Sequence, residues 1–217
     1  MNKTCKICGS STREFIHNRT KTLYYHCPIC DLIQRDEECF PSKEKELSIY
    51  KLHENSIDRE DYVAYLKKFV DQALIPFIKE GADGLDYGSG PVPVLSQVLK
   101  RDYALKTDIY DYYFAPETIY HGKNYDFIVS TEVIEHLQDP LKSFHLFKEI
   151  LVQGGILSLM TLFHPQSDGL FQEWWYTRDE SHISFYTPKT IKYLARTFSF
   201  EIIFTDNIRC ITLRKKY

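Results

Sequence analysis

The sequence predicts an α/β fold: a mostly parallel sheet with helices on both faces, preceded by a small metal-stapled module. Three observations carry this. From position 84 onward, apolar strand-like runs alternate with helix-like segments, the pattern of a parallel sheet. The stretch LDYGSGPVP (85–93) closes the first of those strands with two glycines one residue apart. Four of the six cysteines stand as two C-x-x-C pairs, Cys5/Cys8 and Cys27/Cys30, within the first 35 residues.

The elements follow in order. Residues 1–35 hold the paired cysteines and little that could build a core, so a unit this small needs a staple such as Zn²⁺. Residues 36–80 read as a connector (DEECFPSKEKE) leading into an amino-terminal helix over 61–79 that ends near Pro76. Its apolar positions Tyr62, Tyr65, Leu66, Phe69, Val70, Ala73 and Leu74 recur at helical spacing. Residues 81–217 form the main domain. Strands are expected over 84–87, 104–110, 127–131 and 156–163, and helices over 94–100, 140–151 and 188–198. Residues 200–215 read as two strands around a turn at Asp206–Asn207.

Composition sets outer limits. The 217 residues are 43% hydrophobic and 26% charged, with a net charge of −3. That charge gives no overall pull toward nucleic acid or a membrane surface. No eighteen-residue apolar run and no apolar signal segment after Met1 stand out, so the expectation is a cytoplasmic protein. In that setting two C-x-x-C pairs eighteen residues apart predict a four-cysteine zinc ribbon or knuckle pair rather than disulfides. His26 is not needed as a ligand, and Cys39 and Cys210 are ordinary thiols.

A glycine turn at the carboxyl end of a buried strand is where open α/β sheets bind nucleoside ligands. About twenty residues beyond Gly90, Asp111 can accept hydrogen bonds from ribose hydroxyls. Asp108 competes for that role, but Asp111 stands at the strand end. The fingerprint is not that of a dinucleotide enzyme. Pro93 occupies the third glycine position of G-x-G-x-x-G, Pro91 and Pro93 remove two N–H donors that a pyrophosphate would need, and Asp86 repels phosphate. An acidic residue there suits a ligand bearing an amine. A plain surface turn is the alternative.

At this point the chain resembles the class I S-adenosylmethionine (SAM)-dependent methyltransferases. LDYGSGP resembles their first motif, YDYYFAP the acidic second motif, YDFIVSTEVIEHLQDP the fourth-strand motif, and LVQGGILSLMT the entry to the fifth strand. More narrowly, the order of Cys pairs, IYKLHENS, these motifs and WWYTRDESHISFYTPKT is similar to a subgroup with an amino-terminal zinc-binding segment. The resemblance implies a Rossmann-like sheet of seven strands, the last antiparallel. It implies a cofactor site of Asp86, Gly88, Ser89, Gly90, Asp111, Tyr112, Ser130, Thr131 and Glu132. Two departures stand out. Val92 replaces the family's third glycine, and the stretch between Asp111 and Tyr125 is short enough that the third strand is expected to be trimmed.

The second half carries the chemistry. Glu132, Glu135 and His136 would share one face of a helical turn and can converge on a cation. E-x-x-E-H is similar to the pattern of metal-assisted O-methyltransferases. That likeness implies Mg²⁺ at Glu132, Glu135 and His136, with His164 or His182 as a further ligand. The alternative is a helix start, where acidic residues favour the dipole. His182 is the candidate general base, in a segment where Trp174, Trp175, Tyr176, Phe185 and Tyr186 can wall a pocket or simply hold the segment down. Tyr50, His53 and Asn55 in IYKLHENS either close over the cofactor or lie in a solvated connector.

The leading expectation is methyl transfer to a small-molecule acceptor, with oxygen favoured over carbon. Residues 1–35 carry six Lys/Arg against two Asp/Glu. That leaves an RNA methyltransferase guided by the ribbon as one alternative, and a non-catalytic SAM-binding adaptor as another.

Overall fold

The computed structural model describes residues 3–52 and 55–216. His53 therefore lies outside the described residues. Two sheets organise the chain. The amino-terminal sheet takes β1 (Arg13–Ile16), β2 (Leu23–His26) and β3 (Ile33–Arg35), then β8 (Ser184–Phe185) from far along the sequence. The main sheet has six strands, in the order β5 (Lys106–Tyr110), β4 (Asp83–Tyr87), β6 (Tyr125–Thr131), β7 (Leu151–Met160), β10 (Cys210–Lys215) and β9 (Phe200–Thr205). The first four are parallel. β10 runs antiparallel to both β7 and β9.

Among the described residues the implied seven strands are six. Between β5 and β6, among the described residues, the chain makes turns and one bridge, Asp111 with Ala115, but no strand. A parallel crossover through a helix plus an extra strand needs more chain than lies there. β5 is consequently the edge of the sheet.

Helices cover both faces. α2 (Glu60–Ala73) buries Val63, Leu66, Phe69, Val70 and Ala73, spaced three or four apart, and packs with α3 (Val94–Tyr103) on one face. α4 (Pro140–Ile150) and α5 (Pro188–Thr197) cover the other. Their starts follow from sequence. Pro140 and Pro188 occupy the first turn, Asp139 caps the Lys142 N–H, and Thr187 and Thr190 form a reciprocal capping box. α3 ends at Ala104, which takes a left-handed conformation, so β5 starts two residues later than expected.

Two expected boundaries move. The connector contains a helix of its own, α1 (Lys43–Lys51), capped by Ser42. The ribbon is not a separate body. β3 pairs with β8, and Cys5, Ile7, Cys27, Cys30 and Leu32 lie in the same buried cluster as Ile134 and Tyr186. So the division at residue 35 cuts through a shared core.

Candidate active site

The parallel strands β5, β4 and β6 end side by side, so three turns meet at one edge. After β4 the backbone takes positive φ at Gly88 (+89°) and Gly90 (+69°). The N–H groups of Gly88 and Ser89 both donate to the Tyr110 carbonyl at the end of β5. A Cβ on Gly88 would sit 2.3 Å from a Val133 methyl, whereas Gly90 faces open space.

Asp111 follows β5, and its carboxylate turns back to this loop. Oδ2 accepts the Gly90 N–H at 2.9 Å, and Oδ1 accepts the N–H groups of Tyr113 and Phe114. Asp108 is engaged elsewhere, with Lys123 and Tyr125. Tyr112 is exposed beside Lys43. Asp86 lies beneath the turn, 1% exposed, accepting a hydrogen bond from Ser96; burial pushes its carboxyl up to about 7. Ser89 Oγ and Ser130 Oγ are buried without a hydrogen-bond partner. Open space at a glycine turn, orphaned hydroxyls and an acidic strand end fit a nucleoside cofactor lying across this edge.

The Glu132–His136 segment is not one helical turn. Glu132 has φ +54°, and only Ile134–His136 form a 3-10 turn. The shared face expected for Glu132, Glu135 and His136 therefore does not exist. Glu132 accepts hydrogen bonds from Tyr65 at 2.8 Å and Tyr176 at 2.7 Å, and Arg209 donates to Tyr65 at 2.7 Å. The Tyr176 hydroxyl also contacts Glu135. One hydroxyl carries one proton. With Tyr176 donating to Glu132, the contact to Glu135 draws its proton from the Glu135 carboxyl. Burial, then the nearby charge of Glu132, holds that carboxyl well above the usual range. Its other oxygen, Oε2, is buried and unpartnered.

His182, rather than Glu132, completes the group. Ligand atoms of Glu135, His136 and His182 lie within 4.8 Å of one another. His136 Nδ1 is 3.0 Å from the Ser181 carbonyl, and His182 Nδ1 is 2.8 Å from the Tyr176 carbonyl. A carbonyl only accepts, so both Nδ1 atoms carry the proton. Burial pushes His136 down to about 4, so it is neutral near pH 7, with Nε2 as a lone pair. Imidazoles oriented by backbone carbonyls are the usual support for metal ligands. His164 is not in this group: its Nε2 donates to the Asp31 carbonyl.

An open cleft of about 450 Å³ runs beside the group, lined among others by Lys45, Ile49, Trp175, Arg178 and His182. Of the five aromatics expected over the site, only Trp175 is exposed, at 58%. Tyr176, Phe185 and Tyr186 are buried, and Trp174 is half-buried. α1 lies over the same region. Glu46 accepts from Tyr50 and Tyr113, and Tyr50 packs edge-on against His136. A larger cleft by His164 and Ile208 includes none of the cofactor-edge residues.

The cysteines form a second group. All four sulfurs lie within 4.8 Å of one another, with Cys5–Cys30 at 3.5 Å and Cys8–Cys27 at 3.3 Å. Each C-x-x-C closes the same way. The N–H of Gly9 returns to the Cys5 carbonyl and that of Asp31 to the Cys27 carbonyl, both residues at positive φ. The Cys30 hydrogen bond pulls the Cys5 thiol down to about 5. Four converging sulfurs on paired knuckles fit tetrahedral Zn²⁺. His26 instead meets Asp31 at 2.8 Å.

Tyr65, Arg209 and Glu46 border the candidate site through Glu132, Tyr113 and Tyr50 and were not expected there. Tyr65 sits within an ordinary apolar helical repeat, and nothing in the local sequence marks the other two.

A six-stranded, mostly parallel sheet with an acidic strand end facing a glycine turn defines a Rossmann-like domain for a nucleoside cofactor. Residues 58–204 match the family described as "Methyltransferase domain". The chain belongs to that family, and the family implies SAM as the methyl donor. Solved structures share the fold. An O-methyltransferase family protein from Burkholderia thailandensis aligns with a TM-score of 0.56 and 10% identity over 79% of this chain and 62% of its own. CalO1, a methyltransferase in calicheamicin biosynthesis solved in its SAH-bound form, aligns at 0.55 with 11% identity, over 72% of this chain and 54% of its own. The mitomycin 7-O-methyltransferase MmcR aligns at 0.52 with 10% identity, over 78% of this chain and 60% of its own. This chain spans less than two thirds of each of these three, and the likeness is one of fold. No curated protein matches the chain.

Proposed function

We infer that this methyltransferase acts on the hydroxyl of a small-molecule acceptor, held in the cleft beside Trp175, with a divalent ion at Glu135, His136 and His182. The observation that carries this reading is the group itself. It combines the buried, unpartnered Oε2 of the Glu135 carboxyl, which would give up its proton to an ion, with two imidazoles whose Nδ1–H groups are fixed on backbone carbonyls. SAM, when bound, supplies a methyl group already activated by its sulfonium. Asp111 would take a ribose hydroxyl, and Asp86 beneath the turn suits the amino group. Glu135, His136 and His182 would hold the ion, whose chemistry is to favour the ionised form of an acceptor hydroxyl. Two nitrogens and one carboxylate suit Mn²⁺, Fe²⁺ or Zn²⁺ better than Mg²⁺. α1 and Trp175 would exclude water, and the backbone turns would align donor and acceptor.

The test is direct. S-adenosylhomocysteine (SAH) and Mn²⁺ should each bind the zinc-loaded protein in calorimetry. Methyl transfer to a panel of hydroxylated small molecules should require the added ion. Glu135→Ala should lose Mn²⁺ binding and turnover while SAH binding stays. Turnover that is indifferent to chelation of the added ion, or undiminished in Glu135→Ala, would remove the ion from the reaction.

A further inference from the structure

We propose that the four-cysteine module is a positioning part of the active site: metal at the four thiolates sets the backbone that carries Glu135, His136 and His182, through Arg35 and Lys6. The proposal rests on reading that trio as the reactive group. The connection is continuous. The Arg35 N–H at the end of β3 donates to the Ile183 carbonyl at 3.0 Å, and the Ile183 N–H donates to the Glu135 carbonyl at 2.9 Å. Ile183 is the residue next to His182. So the ribbon strand, the His182 segment and the Glu135 turn are three rungs of one ladder.

Two side chains hold the ends of that ladder. Arg35 is 4% exposed, and its guanidinium donates to the Glu180 carbonyl and, at 3.2 Å, to Tyr24. It thereby fixes the start of the turn whose Ser181 carbonyl receives His136. Lys6 lies between the first two cysteines. Its Nζ donates to the Leu137 carbonyl at 3.1 Å, where the turn of Glu135 and His136 ends, and also reaches the Gln138 carbonyl. Gln34, beside Arg35, ties the two parts of the ribbon together. It accepts the Lys6 N–H at 2.9 Å and donates to the Thr4 carbonyl at 3.2 Å.

The ribbon cannot supply this support without its metal. Its buried apolar residues are few: Cys5, Ile7, Cys27, Cys30 and Leu32 join the main core, and Tyr24 and Ile33 pack with Phe171, Tyr176 and Phe185, so none forms a core within the ribbon alone. Thiolate coordination is what makes residues 3–35 a rigid body from which Lys6 and Arg35 can act. The cofactor edge is built differently, from Gly88, Gly90 and Asp111 on β4 and β5. Among the described residues, none of these side chains or turns bonds to the ribbon. The ribbon therefore governs one half of the site and leaves the other alone. Arg35 and Lys6 are positioning residues, acting through backbone carbonyls.

The experiment compares Arg35→Met, Lys6→Met and Lys6→Arg with the parent chain, each zinc-loaded. Zinc content, SAH affinity, Mn²⁺ affinity and the long-range ¹H–¹⁵N imidazole signals of His136 and His182 are measured. In the parent chain both rings should show the Nδ1–H form. Arg35→Met and Lys6→Met should keep one zinc per chain and SAH affinity within threefold. They should mix the two tautomers and weaken Mn²⁺ at least tenfold, and Lys6→Arg should restore both signatures. Unchanged imidazole signals in both Met variants would overturn the proposal. So would SAH affinity falling in step with them, or a parent chain without metal at its thiolates. If the parent chain binds no Mn²⁺, the metal reading of the trio fails, and the imidazole signals still decide the positioning role.

Discussion

Asp111→Asn probes ribose recognition and the Gly90 turn together. A carboxylate offers about four lone-pair directions. In this structure three are used, two on Oδ1 by Tyr113 and Phe114 and one on Oδ2 by Gly90. One direction on Oδ2 remains for a ribose hydroxyl, with no backbone bond given up. A hydrogen bond to a charged group contributes about 1.5–3 kcal/mol, so its loss weakens SAH about ten- to hundredfold. The asparagine keeps an oxygen for Tyr113 and Phe114 but turns its NH2 toward the Gly90 N–H, so the turn also loses one hydrogen bond. Calorimetric titration with SAH measures the affinity, and thermal unfolding without ligand checks the loop. A lowered melting temperature is expected from the lost Gly90 bond, and SAH affinity within threefold of the parent would mean that Asp111 does not carry the ribose.

Alanine at Gly88 should cost about 2–4 kcal/mol, from a left-handed backbone plus a Cβ 2.3 Å from Val133, while alanine at Gly90 should cost only about 1 kcal/mol, since nothing stands in its way. Equal losses in denaturant unfolding would refute the packing argument at Gly88. Burial raises Asp86 from about 4 in the unfolded chain to about 7, so its contribution is full below pH 4 and is lost as pH rises through 7. Relative to Asp86→Asn, the parent chain should therefore lose about 3 kcal/mol between pH 5 and pH 8, and parallel pH profiles would exclude this. Tyr176→Phe removes the hydroxyl between Glu132 and Glu135 and should destabilise the fold by about 2–4 kcal/mol, because both carboxyls lose a buried partner. An unchanged unfolding midpoint would show that the bridge has no weight.

What could be read from the sequence was whatever local spacing encodes. The glycine turn, Asp111 and the paired cysteines are each set by a few neighbouring residues, and the structure brings Gly88, Gly90 and Asp111 to one edge and the four sulfurs to one point. The trimmed third strand was legible too, because a crossover has a minimum length. His182 was foreseen as a further ligand, but the departure of Glu132 from the group was not. It depends on Glu132 entering a left-handed conformation, which the helical spacing of E-x-x-E-H does not reveal, and on Tyr65 and Tyr176 arriving from elements far away in sequence. The union of ribbon and main domain was hidden for a related reason. β8 has two residues, too short for any periodic signal, yet it carries the pairing that joins the two sheets.

Glu132 has one more consequence. A non-glycine residue at φ +54° carries about 1–2 kcal/mol of backbone strain, and the hydrogen bonds from Tyr65 and Tyr176 hold it there. Glycine would relieve that strain but would leave the Tyr65 and Tyr176 hydroxyls without their acceptor, at about 1.5–3 kcal/mol for each hydrogen bond to a charged group. A laboratory selection scored only on heat tolerance would therefore keep the glutamate, because the strain it carries is smaller than the two links it makes between α2 and Tyr176.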